Sequence, residues 1–194
     1  MFRILFVCTG NRCRSPLAEV HLRRLTQGLP IDVASVGLLD LGSVPVPQEM
    51  LEVAQSSGLD LSSHRSRALA SVDVSRVDLV IGLERSHVAT AVVEGNVPYD
   101  RAFSLKEIVR LLAEVEVPEA ADEEERARLA VARAHELRAR GPSFVPGEDV
   151  ADPFGGPRRG YYEMADELAA LCRSLVAGLL GNGRVSPQAP TRRR

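Results

Sequence analysis

Cysteine is scarce in this sequence, with three in 194 residues: Cys8, Cys13 and Cys172. An odd, sparse set excludes a secreted disulfide framework and points to a reducing cytoplasm. Long apolar runs are missing as well, and no stretch approaches the roughly 18 residues of a membrane span. The opening MFRILFVCTG has too short an apolar run for a signal peptide. It ends in Gly, Asn and charges instead of a small-residue cleavage site. A net basic field is absent too, since the formal net charge is −2. That excludes a general attraction to nucleic acid or membrane. Lysine is nearly absent: Lys106 is the only one, and the excess of arginine reads as GC-rich coding bias.

What is present is ordinary for a globular chain, with 45% hydrophobic and 26% charged residues. The length suits one α/β domain with a core of its own. Phe2 to Val7 is a continuous apolar run ending at Gly10-Asn11, the pattern of a strand buried on both faces. Pro16 marks the start of a helix, and Gly28 and Pro30 its end. Ile31–Val36, Val77–Leu83 and Ala102–Leu105 read as further strands. Helices are expected at about 48–57, 84–94, 105–115 and 161–180. Strands alternating with helices predict a three-layer α/β fold, a four-stranded parallel sheet with helices on both faces.

Two segments stand apart from that core. Residues 114–147 are rich in Glu, Ala and Arg, with a helical stretch at about 122–140 whose alternating charge predicts a solvated helix. This segment reads as a surface insertion or lid rim, or alternatively as a partner-docking helix. Residues 182–194 are Pro-rich and end in three arginines, which predicts a disordered basic tail after a single domain at 1–181. The sequence carries no reading of oligomeric state.

The segment Cys8-Thr9-Gly10-Asn11-Arg12-Cys13-Arg14-Ser15-Pro16 lies between the first strand and the first helix. That is the C-terminal edge of a parallel sheet, where α/β proteins place ligands. A loop of this length wraps back so that its N–H groups converge at a helix N-terminus, a concavity suited to a phosphate dianion. Cys8 is then the nucleophile. The helix dipole, the loop amides and Arg14 all favour its thiolate. Arg14 offers two parallel donors to phosphate oxygens, and Ser15 donates to the Cys8 sulfur. Gly10 gives access to positive φ, and Asn11 holds a left-handed turn. Thr9, Gly10, Asn11, Arg12, Cys13 and Ser15 complete the phosphate-binding loop. A general acid is also needed. Asp152, in Asp152-Pro153-Phe154-Gly155-Gly156, fits that role on a loop that overhangs the pocket, with Phe154 beside it.

These residues resemble the low-molecular-weight protein tyrosine phosphatases. The resemblance rests on the loop Val7–Pro16 and on Asp152-Pro153, with the insertion after about Leu112 left outside it. It implies a doubly wound parallel sheet, a cysteinyl-phosphate intermediate, a phosphorylated protein as substrate, and no metal or cofactor. Ser35-Val36-Gly37 is similar to the family's Ser-Ala-Gly segment, whose serine bonds the loop asparagine, here Asn11. His64 matches the histidine of that network. Cys13 matches a second loop cysteine that can pair with the nucleophile under oxidation; read by itself, it is a small buried side chain.

Substrate class is less uniform. Arg12 stands where the tyrosine phosphatases carry an apolar residue, and Leu38–Leu41 replace an aromatic wall, so a phenyl ring is gripped less well. Asp152-Pro153-Phe154-Gly155-Gly156 and Phe103-Ser104-Leu105-Lys106-Glu107 are similar to the bacterial protein-arginine phosphatases, which have threonine at the position of Arg12. Phosphotyrosine is the first expectation and phosphoarginine the alternative. A phosphate-binding pseudophosphatase is disfavoured by the intact Cys8, Arg14 and Asp152. An arsenate reductase is disfavoured because no further cysteines lie at 77–94.

Overall fold

Side chains alternate across a strand, and the first strand uses both of its faces. The structure is a computed structural model that describes residues 1–142 and 145–181. In β1 (Phe2–Cys8), Phe2, Ile4, Phe6 and Cys8 enter one hydrophobic cluster, while Leu5 and Val7 enter another on the opposite side. Such a strand must sit inside a sheet, and it does. Among the described residues β1, β2 (Ile31–Gly37), β3 (Leu79–Gly82) and β4 (Ala102–Ser104) form one parallel sheet in the order β2-β1-β3-β4. The α/β architecture read from the sequence is the one present.

The helices are α1 (Arg14–Leu25), α2 (Gln48–Ser56), α3 (Arg85–Val93), α4 (Leu105–Ala113), α5 (Glu123–Arg140) and α6 (Arg158–Leu180). The larger cluster gathers α1, α2, α4, α5 and α6 over one face of the sheet. The other face is covered by α3 and by short turns carrying Leu69 and Val77. No helix among the described residues is long and apolar enough to cross a membrane.

Helix α1 starts at Arg14, two residues before the expected Pro16. Pro16 still lies in the first turn, where an N–H has no intrahelical acceptor, so the ring costs the helix nothing. The earlier start places Arg14 on the helix itself.

The charged segment departs further from expectation. Its helix, α5, is not a solvated rod: Ala127, Ala130, Val131 and Ala134 are buried, and they pack in the larger cluster. A stripe of alanines lets two helix axes approach closely while adding little to an apolar periodicity, so the charges dominate the sequence pattern. Arg138 completes the docking. Its guanidinium binds Glu107 Oε1 (3.0 Å) and the carbonyls of Tyr99 (2.9 Å) and Ala102 (2.6 Å), and lies 3.6 Å from the Phe103 ring centroid. The expected disorder of 182–194 falls outside the described residues.

One buried group makes stability depend on pH. His21 on α1 is 2% exposed, and neither ring nitrogen has a hydrogen-bond partner among the described residues. Burial, aided by Arg24 and Arg173, pushes its pKa down to about 4 from 6.5. The unfolded chain therefore binds more protons between those values, so stability is full above pH 6.5 and is lost as pH falls through about 4. We expect a loss of about 2 kcal/mol between about pH 7 and about pH 4.5. His21→Met should remove that part of the loss. Urea midpoints of both proteins at the two pH values test it.

Candidate active site

Parallel pairing brings the C-terminal ends of β1 and β3 together, with Val7 opposite Gly82, and places Cys8 opposite Gly37 of β2. Three turns therefore meet around Cys8: 9–13, 38–47 and 83–84. The backbones are in close contact. A Cβ added to Gly37 would lie 2.9 Å from Asn11 N and 3.0 Å from Thr9 O, so only glycine fits under the loop. Leu38 and Leu39 then donate their N–H groups to the carbonyls of Cys8 and Thr9, both at 2.9 Å.

The loop is held from below by its asparagine. Asn11 is fully buried with φ at 52°, the left-handed region that Asn tolerates better than most residues. Its Nδ2 donates to Ser15 Oγ (3.0 Å) and Ser35 Oγ (2.8 Å), and its Oδ1 accepts from Arg67 N (3.0 Å). His64 Nε2–H donates to the Asn11 carbonyl at 2.9 Å, and burial of that ring lowers its pKa. Gly10 is not a positive-φ residue, contrary to expectation. An added Cβ would lie 3.1 Å from Leu41 Cδ1, a tight contact with the far end of an exposed side chain.

Above this frame Cys8 Sγ lies 3.0 Å from Ser15 Oγ. Cys8 is 3% exposed, yet it borders an open cleft of about 340 Å³. The other walls are Thr9, Gly10, Arg12, Cys13, Arg14, Leu39, Leu41, Asp152 and Phe154. All three cysteines are free thiols. Cys13 has its pKa raised to about 12 by burial first, then by Asp152 and Cys8, so it is a neutral thiol at physiological pH. Cys172, buried against the Ala18 carbonyl, has no part in this cleft.

Arg14 is 1% exposed and serves four partners. Nη1 binds Glu84 and the Val150 carbonyl (3.1 Å). Nη2 binds Asp152 Oδ2 (2.6 Å) and Thr9 Oγ1 (3.4 Å). Asp152 is fixed on its other side as well, because Phe154 N donates to Oδ1 at 3.2 Å. The rest of its loop is tied by Gly155 N to Tyr161 Oη (3.3 Å). The residues singled out in the sequence thus fall into two sets. Cys8, Thr9, Gly10, Arg12, Cys13, Arg14, Asp152 and Phe154 line the cleft, and Asn11, Ser15, Ser35 and His64 brace it from behind.

Two further residues were not singled out. Glu84 and His87 bracket the start of α3, each side chain bonding the other's backbone in a capping box. Glu84 N donates to His87 Nδ1 (3.0 Å), so the ring hydrogen sits on Nε2 and is given to Thr9 Oγ1 (3.0 Å). Burial lowers the His87 pKa and keeps the ring neutral. The signal for both was available: an acid and a histidine three apart, directly after the third strand, at the ligand-binding edge of the sheet.

Arg12 turns out of the anion site. Its Nε donates to the Pro45 carbonyl at 3.0 Å, and its guanidinium carbon stands 5.4 Å from the centre of the Phe154 ring. Residues 3–140 match the model of the low molecular weight phosphotyrosine protein phosphatase family.

The chain belongs to that family.

The match ends before Asp152. A probable low molecular weight protein-tyrosine-phosphatase, EpsP of Ralstonia nicotianae, is 40% identical over 81 residues. That alignment takes in 42% of this chain and 54% of the relative, so the chain spans about half that relative's length. A protein-arginine-phosphatase of Geobacillus stearothermophilus is 28% identical over 181 residues, covering 92% of this chain and 96% of the relative. Among solved structures, the low molecular weight protein tyrosine phosphatase from T. tengcongensis superimposes with a TM-score of 0.67 at 29% identity. It covers 91% of this chain and 98% of its own. The family thus contains relatives named for either substrate.

Proposed function

We propose that this chain is a cysteine-dependent protein phosphatase that hydrolyses phosphotyrosine through a cysteinyl-phosphate intermediate. The observation that carries the reading is the convergence of Cys8 Sγ, Arg14 and Asp152 on one cleft, with Ser15 at 3.0 Å from the sulfur. The Cys8 thiolate attacks phosphorus, and the bond from phosphorus to the leaving oxygen breaks. Asp152 gives its proton to that oxygen, and the tyrosine phenol departs. Water then attacks the thiophosphate, its proton passes to Asp152, and Cys8 leaves as a thiolate stabilised by Ser15. Phosphate is released and the acid is restored. Arg14 Nη2 binds Asp152 Oδ2 at 2.6 Å. An arriving phosphate dianion competes for the same guanidinium, which frees the carboxyl to face the leaving group.

The mouth supports the choice of substrate. Leu39, Leu41 and Phe154 are exposed there by 51, 38 and 56%, an apolar rim against which a phenyl ring can pack. Arg12 stands on that rim as a cation, which disfavours the positively charged guanidinium moiety that carries the phosphoryl group in phosphoarginine. The second reading, a protein-arginine phosphatase, draws on a different observation: the fuller coverage of the Geobacillus relative's length. Phosphotyrosine and phosphoarginine peptides of one sequence, assayed with chelator present, separate the two. We expect kcat/KM to favour phosphotyrosine by about tenfold or more. Arg12→Thr should narrow the ratio by raising the phosphoarginine value. A preference for phosphoarginine in the wild type would reverse the assignment. The three free cysteines fit a reducing compartment, and we place the enzyme in the cytoplasm.

A further inference from the structure

The chain's single lysine sits away from the cleft, and its contacts go to the segment that leads into the acid loop. Lys106, on α4, donates Nζ to the carbonyls of Gly147 (3.1 Å) and Asp149 (2.7 Å) and pairs with Glu167 of α6 at 2.8 Å. One ammonium thus uses all three of its donors, and it is only 24% exposed. The neighbouring residues of the segment are gripped as well. Glu148, nearly buried, pairs with Arg110 one turn further along α4 at 2.9 Å. Asp149 Oδ1 accepts from Arg85 N (2.8 Å), and Val150 N donates to the Leu83 carbonyl (2.8 Å). The Val150 carbonyl accepts from Arg14 Nη1. Gly147 adopts φ of 82°, a left-handed turn open to glycine, and its carbonyl is one of the two that Lys106 receives.

Asp152 follows two residues after Val150. Its own side chain is 42% exposed, and among the described residues only Arg14 and the Phe154 amide hold it directly. Its placement therefore depends on where the 147–150 backbone is clamped. Among the described residues Lys106 is the one clamp residue that bonds two carbonyls of this segment at once.

We infer that Lys106 is a positioning residue for the general acid: it sets the register of 147–150, and through that the reach of Asp152 to the leaving oxygen. The inference rests on the reading of Asp152 as the acid. A merely structural lysine would, when lost, lower turnover of every substrate alike. A positioning lysine makes the loss depend on how much the leaving group needs a proton. Dinitrophenolate departs without one, whereas phenolate does not.

The test is kcat/KM of the full-length enzyme for phenyl phosphate and for 2,4-dinitrophenyl phosphate, in the wild type, Lys106→Met, Lys106→Arg and Asp152→Asn. This ratio reports steps up to phosphoryl transfer to Cys8 and is blind to the shared hydrolysis that follows. We expect Lys106→Met to lose about tenfold or more on phenyl phosphate and less than about threefold on the dinitrophenyl ester. Asp152→Asn should show the same pattern more strongly. Lys106→Arg, which keeps the charge and enough donors, should restore most of the phenyl phosphate rate. A uniform loss in Lys106→Met, or no loss, overturns the inference. If Asp152→Asn itself shows no dependence on leaving group, the acid assignment fails instead, and the two failures are told apart.

Discussion

Cys8→Ser should reduce hydrolysis of an aryl phosphate by about 10,000-fold or more. A serine hydroxyl has neither the ionisation nor the leaving ability of a thiol. The loop amides, Asn11 and Arg14 would stay in place, because the oxygen is smaller than sulfur and Ser15 remains a partner for it. Folding should be unaffected, and binding of inorganic phosphate should persist. Steady-state kinetics with calorimetric titration of phosphate separate the two quantities. Retained binding with lost turnover fits a nucleophile. Loss of both would mean that Cys8 only shapes the loop.

The second large effect belongs to Arg14. Its guanidinium serves Glu84, the Val150 carbonyl, Thr9 and Asp152 together, through Nη1 and Nη2. An ammonium cannot span those positions, so Arg14→Lys should cost about 100-fold or more in kcat/KM despite conserving charge. Arg14→Ala should cost about 1,000-fold or more. It also leaves Glu84 without its cation and the Val150 carbonyl without its donor. Since Glu84 is 30% exposed, water softens the penalty, and a loss of about 2 kcal/mol is expected. Urea unfolding at neutral pH measures the stability term, and kcat/KM the catalytic one. A lysine variant with near-wild-type kcat/KM would show that planar donation by Arg14 is not needed.

The parts of this site legible from the residues themselves were local in the sequence, while Ser35 and His64 came only from the family resemblance. Cys8 to Ser15 run from the end of a strand through one turn into a helix, and such chemistry is a local property. Asp152-Pro153 could be named because an Asp before a proline in a glycine-rich run is also local. Glu84 and His87 went unmarked because their significance is spatial. It exists only once β3 pairs beside β1 and its C-terminal end meets Thr9 and Arg14. The clamp by Lys106 was equally hidden, since its partners are backbone carbonyls about 40 residues away, which leave no mark on residue type.

For the fold, strands and helices with large apolar residues were placed almost to the residue, as with Ile31–Gly37 and Leu105–Ala113. Helix α5 was assigned the right form and the wrong environment. Its buried face is three alanines and a valine, and burial of so small a side chain is decided by the neighbour's shape. Gly10 shows the same limit from the other side. A glycine in a turn signals freedom in φ, but the backbone at Gly10 does not use it.

The central claim is that phosphate passes through the Cys8 sulfur. The most direct measurement is acid-quenched mass spectrometry of Asp152→Asn after brief exposure to an activated aryl phosphate. Slowing the water step should let the intermediate accumulate, with one phosphoryl group on the peptide that contains Cys8 and none on Cys13 or Cys172. Turnover by the wild type with no covalent phosphate trapped in that variant, or with the group on another residue, would contradict the account.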